Sequence, residues 1–445
     1  MRRIAISGLV AVAAVLGGVA VPSTAMARAA TTVHPAAAAR PGDPAAAARP
    51  GNPARPADVA LVDSGLPMVS CVLATDCLGI EGSATQSGRE QAAPTRVARW
   101  NGSSWKRLGV PLPKGTTAVD LDGVSCPGAR SCLVVGDYYT QPGVSGMSRV
   151  LALSYNGTSL KPTPAVPLPK GTTDGALSGV SCATTRFCVA IGLADGEPPA
   201  FGAFGSVTII ETWNGEKWTL HTIAPLAGRT TLAVPSVVSC ATSAFCVLAG
   251  DVYSFTASGA TVKPYVASWN GRKLTTMKAA TVGGIKDSAV AAGVSCATPS
   301  NCAVTGVDVG SLSGSGATDT TAFTEIWSGR TWQLAKATWP KARKSSATTG
   351  VSCYAAHSCE AVGEDGANAE MSPADAAAVS FTGTAGTLQP VQAPSKGDSN
   401  AFASVSCLPG GRCVAIGGTG KTTASVPALM TGVWNGRSWR LDPGF

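Results

Sequence analysis

Short apolar runs of four to eight residues recur along this chain, broken by clusters of Gly, Asn, Ser and Thr. Around residues 177–223 they predict four strands, near Leu177–Cys182, Cys188–Leu193, Ser206–Trp213 and Lys217–Ile223. Segments with a 3.6-residue apolar period and helix caps are missing between them, so the reading is all-β.

The same set of runs returns seven times. Each copy carries two cysteines six positions apart, at Cys71/Cys77, Cys126/Cys132, Cys182/Cys188, Cys240/Cys246, Cys296/Cys302, Cys353/Cys359 and Cys407/Cys413. Successive first cysteines are 55, 56, 58, 56, 57 and 54 residues apart. A fixed period of that length means one supersecondary unit copied and stacked. Each copy also holds an aromatic residue, a polar residue and glycine, as in Trp100-Asn-Gly102, Trp213-Asn-Gly215 and Trp434-Asn-Gly436. Asn-Gly between apolar runs predicts a hairpin with a type I′ turn, which needs positive φ at both central residues. Trp or Leu follows three positions after the glycine, except in copy six, where a two-residue insertion before Leu388 is expected. The tryptophans at these positions are expected to pack between units.

Seven units of two hairpins each predict a seven-bladed β-propeller, with four antiparallel strands per blade. A β-solenoid or a string of small domains are the alternatives. The cysteines flank the first hairpin turn of every unit, where residues across an antiparallel pair come within disulfide range. One disulfide inside each hairpin is the favoured pairing. Zinc is the rival, but its cysteine pairs usually stand two to four residues apart and four ligands are needed.

With Leu-x-x-Val-Ser-Cys, Cys-Val-Ala-Ile-Gly and x-Asn-Gly-x-x-Trp in place, residues 66–445 resemble the repeat of Asp-box propellers of the sialidase and photosystem-assembly-factor type. They are also similar to secreted Cys-x5-Cys propeller repeats of actinobacteria. The Asp-box aspartate, two positions before its glycine, is replaced here by Trp100, Tyr155, Trp213, Trp269, Trp327, Phe381 and Trp434. Blade topology is what the resemblance implies.

Residues 1–27 read as a secretory signal peptide, with Arg2 and Arg3 before the apolar run Ile4–Val21 and a cleavage site at Ala25-Met-Ala27. An uncleaved anchor is the alternative, and Sec and twin-arginine export both stay open. Residues 28–57 form a disordered Ala/Pro/Arg linker with a tandem near-duplicate. Residues 58–445 make the propeller. Fourteen paired cysteines fit an extracellular, secreted protein, and no later stretch is long and apolar enough to span a bilayer.

Charge narrows the partners. The chain has 34 basic and 26 acidic residues, a net +8. The signal and linker arginines account for most of it, leaving about +3 on the propeller, too little to point to nucleic acid. Catalytic options are thin as well. The three histidines are His34 in the linker, His221 on a predicted strand and His357 in a Cys-x5-Cys turn. A Ser-His-Asp, Cys-His or His-based metal site is therefore hard to assemble, and no cofactor is expected. Two carboxylates would suffice for glycoside hydrolysis. The loops between the second and third strands are expected to carry Asp137, Tyr138, Tyr139, Asp195, Glu197, Asp251, Tyr253, Glu364 and Asp365 on one face, as candidate ligand-binding residues. The alternative is ordinary solvated loop residues. The sequence thus suggests a monomeric binding module for glycans or a cell-surface protein, with a glycoside hydrolase or lyase, or a structural envelope protein, as rivals.

Overall fold

The computed structural model describes residues 63–64, 67–81, 84–85, 96–140, 148–196, 206–223, 231–256, 259–278, 289–308, 320–337, 345–366, 374–392, 399–420 and 428–444. The expected signal peptide, the linker and Glu197 lie outside them. Seven sheets of four or five strands follow one another along the chain, beside a two-stranded pair of Asp63–Ser64 with Ala84–Thr85. We call the seven sheets blades 1–7 and their strands A to D. Blade 3 has A at Thr172–Thr184, B at Phe187–Gly196, C at Ser206–Trp213 and D at Trp218–Ile223, paired in that order. Strand C matches the sequence expectation. Strands A and B run several residues further, toward the end opposite the disulfide turn.

Each junction between blades has its own apolar cluster. Leu177, Val180, Ala190, Ile209 and Trp213 of blade 3 pack on Leu133, Val135 and Ala152 of blade 2. The seventh junction is built like the rest: Val69, Cys71, Cys77 and Trp100 of blade 1 meet Val414 and Ile416 of blade 7. Strand B is covered on both sides and reads as a continuous apolar run; Val189, Ala190 and Ile191 are all fully buried. Blade 1 takes its four strands from Met68–Leu108 and blade 7 from Ser399–Pro443. The ring therefore closes side to side, with no strand shared between first and last blades.

The residues Val-Ser-Cys explain how neighbouring A strands are held. Each serine hydroxyl accepts the backbone N–H of the first cysteine in the next blade: Ser70 from Cys126, Ser125 from Cys182, Ser181 from Cys240, Ser239 from Cys296, Ser295 from Cys353 and Ser352 from Cys407. Ser406 accepts from Cys71 at 2.9 Å and completes the circle.

The cysteines pair as the spacing predicts, one bridge inside each A–B hairpin. Cys71 bonds Cys77 in blade 1, Cys126 bonds Cys132 in blade 2, and Cys182 bonds Cys188 in blade 3. Blades 4 and 5 hold Cys240–Cys246 and Cys296–Cys302. Blades 6 and 7 hold Cys353–Cys359 and Cys407–Cys413. Their Cα atoms are 3.9–4.1 Å apart. There is no free cysteine among the described residues, so the rival zinc reading has no thiolate to use. The second cysteine of each pair opens strand B and is the more deeply buried: Cys77, Cys132, Cys188, Cys246, Cys302, Cys359 and Cys413 are all at most 4% exposed. In blade 3, Cys182 faces Cys188 directly, and a bulge follows between Cys182 and Thr184.

Two local expectations are corrected. The Asn-Gly hairpins are not type I′ turns: the glycines have positive φ, as at Gly102 (98°) and Gly215 (97°), but the asparagines do not. The loop has four residues, Trp213 pairing with Trp218. Asn214 Oδ1 accepts the N–H groups of Glu216 and Lys217, both at 2.9 Å, so the asparagine caps the loop with its side chain. Copy six has no insertion either. Phe381 pairs with Gly386, which fills the slot that Trp or Leu takes elsewhere. A fifth strand, Lys336–Ala337, pairs parallel with Ala385–Gly386 at that edge. A side chain on Gly386 would run into the Phe381 ring and Ala337.

Candidate functional site

The A–B turns and C–D loops emerge at one end of the ring; the B–C and D–A connections emerge at the other. The candidate residues lie at the second end, but in strand B and not in loops as expected. The reason is the longer A–B ladder, which keeps pairing past the point where a loop is predicted: Val119 pairs with Tyr138 and Ala118 with Tyr139.

Asp137 (0% exposed), Asp251 (3%) and Glu364 (2%) are buried. Each follows the glycine four positions after the second cysteine of its blade. Asp251 of blade 4 accepts the N–H of Ala291 in blade 5 at 2.9 Å, a brace across the junction. Burial pushes its carboxyl up to about 8, against the pull of that hydrogen bond. Burial, and then the charge of Asp365, push Glu364 up to about 8 as well. Tyr253 packs with Val290, Val307 and Ala347. Its phenol is raised by burial and by neighbouring Asp251.

Tyr138 and Tyr139 end strand B of blade 2, both half-buried. Tyr138 leans on the apolar cluster between blades 1 and 2. Asp195 accepts the Ser206 hydroxyl at 2.5 Å. Its cross-strand partner is Asp174, which accepts the Ser148 N–H of blade 2 at 2.8 Å. Asp120 likewise faces Asp137, and Asp365 faces Asp375. Like charges directly opposite destabilise a sheet, so these pairs set this end apart, and sequence reading missed them because it did not fix register. Among the described residues, no group of three or more His, Cys, Asp or Glu could hold a metal ion. The site residues are spread around the ring by blade and lie toward one end of it.

Two further acids were missed because they sit on strand faces that alternation marks as core. Glu211, fully buried in strand C of blade 3, has neither carboxyl oxygen hydrogen-bonded and is pushed up to about 8 by burial. Glu360 accepts the Ser380 hydroxyl and is pushed up to about 7, again by burial. His221 packs edge-on to Trp269 of the next blade, with ring centroids 5.2 Å apart, and burial lowers its pKa.

No family model matches the chain, and no curated protein sequence does. Solved structures with a similar fold include YCF48 bound to D1 peptide, at 13% identity and TM-score 0.38, covering 75% of this chain and 84% of that one. A PL25 ulvan lyase matches at 9% identity and TM-score 0.44, over 72% of this chain and 79% of its own. A Penicillium chrysogenum α-L-arabinanase complexed with arabinobiose matches at 10% and 0.44, over 72% and 92%. None of these carries an activity over to this chain.

Proposed function

We propose that this protein is an exported binding module for glycans or a cell-surface protein, held as a rigid disulfide-clamped ring. The observation that carries the reading is the burial of Asp137, Asp251 and Glu364 within strand B. An acid and a nucleophile or base for glycoside hydrolysis must both reach a sugar in a cleft, and Asp251 is instead committed to a neighbouring blade's backbone. Of the described candidate residues, Tyr138, Tyr139 and Asp195 stay partly open, a composition suited to contact rather than chemistry. Seven disulfides support an oxidising compartment and hence export, in keeping with the leader at residues 1–27. The ring is proposed to act as a monomer, since closure leaves each blade's faces covered by its own neighbours.

Glycan arrays and cell-surface pull-downs with the mature chain test this. Specific retention that drops when Tyr138→Ala and Tyr139→Ala are combined is the expected result. Blank screens together with a glycosidase or lyase rate abolished by Asp137→Asn, Asp251→Asn or Glu364→Gln would establish the enzyme instead.

A further inference from the structure

The disulfide end of the ring is chemically unlike the end just described. Its A–B turns and C–D loops carry Arg130, Arg186, Arg272, Lys273, Arg330 and Arg437, all exposed, from blades 2, 3, 4, 5 and 7. None of the six makes an ion pair among the described residues. Exposed Glu216 is an acid on those same loops, and Asp76 is taken by Arg99 at 2.8 Å. The opposite end holds Asp120, Asp137, Asp174, Asp195, Asp251, Glu364, Asp365 and Asp375 on its strands. A modest net charge therefore hides a ring that is basic on one face and rich in carboxyl groups at the other.

The cations stand on a stiff base. Asn270 Oδ1 accepts the N–H groups of Arg272 and Lys273 at 3.0 and 2.8 Å, and Asn435 Oδ1 that of Arg437 at 2.8 Å. The stem of Arg130 lies against Gly157 and that of Arg186 against Gly215, within their own blades. Those glycines leave room for the arginine methylenes, so the stems are seated on their own blades while the charged heads stay in solvent.

We infer that this basic face is a docking surface for an acidic polysaccharide, a linear chain bearing carboxylate or sulfate groups. Cations distributed over five blades of one end suit a long, multiply charged polymer better than a compact anion. Nucleic acid and lipid fit less well. Base stacking needs exposed aromatic faces, and membrane insertion needs exposed apolar ones. Six tryptophans of these hairpins, Trp100, Trp213, Trp218, Trp269, Trp332 and Trp439, are buried and Trp105, Trp327 and Trp434 are half-buried, so none offers an open ring face, and Leu73 is a lone exposed apolar side chain on the A–B turns described. The inference rests on the fold and on charge placement, independently of the reading given to the opposite end.

The mature chain is tested on immobilised heparin as a sulfated probe and on polygalacturonate as a carboxylated one. Arg272→Ser/Lys273→Ser/Arg330→Ser/Arg437→Ser is compared with Lys114→Ser/Lys170→Ser, whose exposed lysines lie in D–A connections on the other face. The fourfold variant should bind heparin at least about tenfold more weakly at low salt, with a shallower salt dependence from lost counterion release. The lysine pair should bind like the unaltered chain. Equal binding by the fourfold variant, or equal weakening by the lysine pair, overturns the surface. Tighter retention by single-stranded DNA or by phosphatidylglycerol vesicles than by either polysaccharide overturns the partner class. Circular dichroism and intact disulfides confirm that each variant is folded, and Arg130→Ser/Arg186→Ser gives an independent second reading of the same face.

Discussion

Single residues in this protein are constrained by backbone in the next strand or the next blade. Gly192 is the clearest case. A Cβ there would fall on the carbonyl oxygen of Ala176, in the bulged stretch of strand A, and the same crowding recurs at Gly136, Gly250, Gly306, Gly363 and Gly417. Gly192→Ala should cost about 3 kcal/mol through overpacking, whereas Gly109→Ala, with nothing within 4 Å, should cost little; urea unfolding midpoints distinguish the two. Glu211 gives the complementary electrostatic prediction. Its carboxyl titrates near 4.5 when unfolded and at about 8 when folded. Below pH 4.5 both states are protonated and the folded state carries no ionisation penalty. As pH rises toward 8 the unfolded chain ionises first, so stability falls across that window. Glu211→Gln should therefore raise the melting temperature near pH 8, change it little at about pH 4, and flatten the slope between. An unchanged slope would mean that water or another group satisfies the carboxylate.

At the scale of the hairpin, the sequence was most informative where spacing alone decides the outcome. Cys182 and Cys188 fix both the turn and the register of strands A and B, because cysteines six positions apart come face to face only across a tight antiparallel turn. Replacing both with alanine should lower stability by about 2 kcal/mol, the chain-entropy value for so small a loop, measured by urea unfolding against the intact chain. Asn-Gly was legible as a hairpin but not as a turn type. Two N–H groups captured by Asn214 favour a four-residue loop, and that preference lies in side-chain hydrogen bonding, which a dipeptide signal does not encode. The true end of strand B was also illegible. Asp137, Tyr138 and Tyr139 look like loop residues by type, yet they continue the ladder because strand A opposite them supplies partners.

For the whole molecule, the period of about 56 residues made the ring visible at once, while the contacts that close it stayed hidden. Ser181 and Cys240 are 59 positions apart, and Ser406 and Cys71 are 335 apart. Only a folded ring puts both pairs at the same 2.9 Å. The two-faced charge was hidden for a similar reason: Arg130 and Arg437 belong to distant copies and no local run contains them. Because the junction between blades 7 and 1 repeats the others, Ser406→Ala and Ser181→Ala should each cost about 1 kcal/mol, the net value of one such hydrogen bond. A much larger loss for Ser406→Ala, read from denaturant midpoints, would show that the closing junction is special after all.

Side-to-side closure has one more consequence. In a ring that locks by lending a strand from its first blade to its last, the chain ends lie inside a blade. Here each blade draws its strands A to D from one unbroken length of chain. Circular permutants that join residues 445 and 68 by a short linker and reopen the chain in a D–A connection keep strands A to D of every blade on one length of chain, and only a cut ahead of blade 6 parts Lys336–Ala337 from the sheet it joins. Such molecules should refold with native disulfides and the same melting cooperativity, whichever blade comes first.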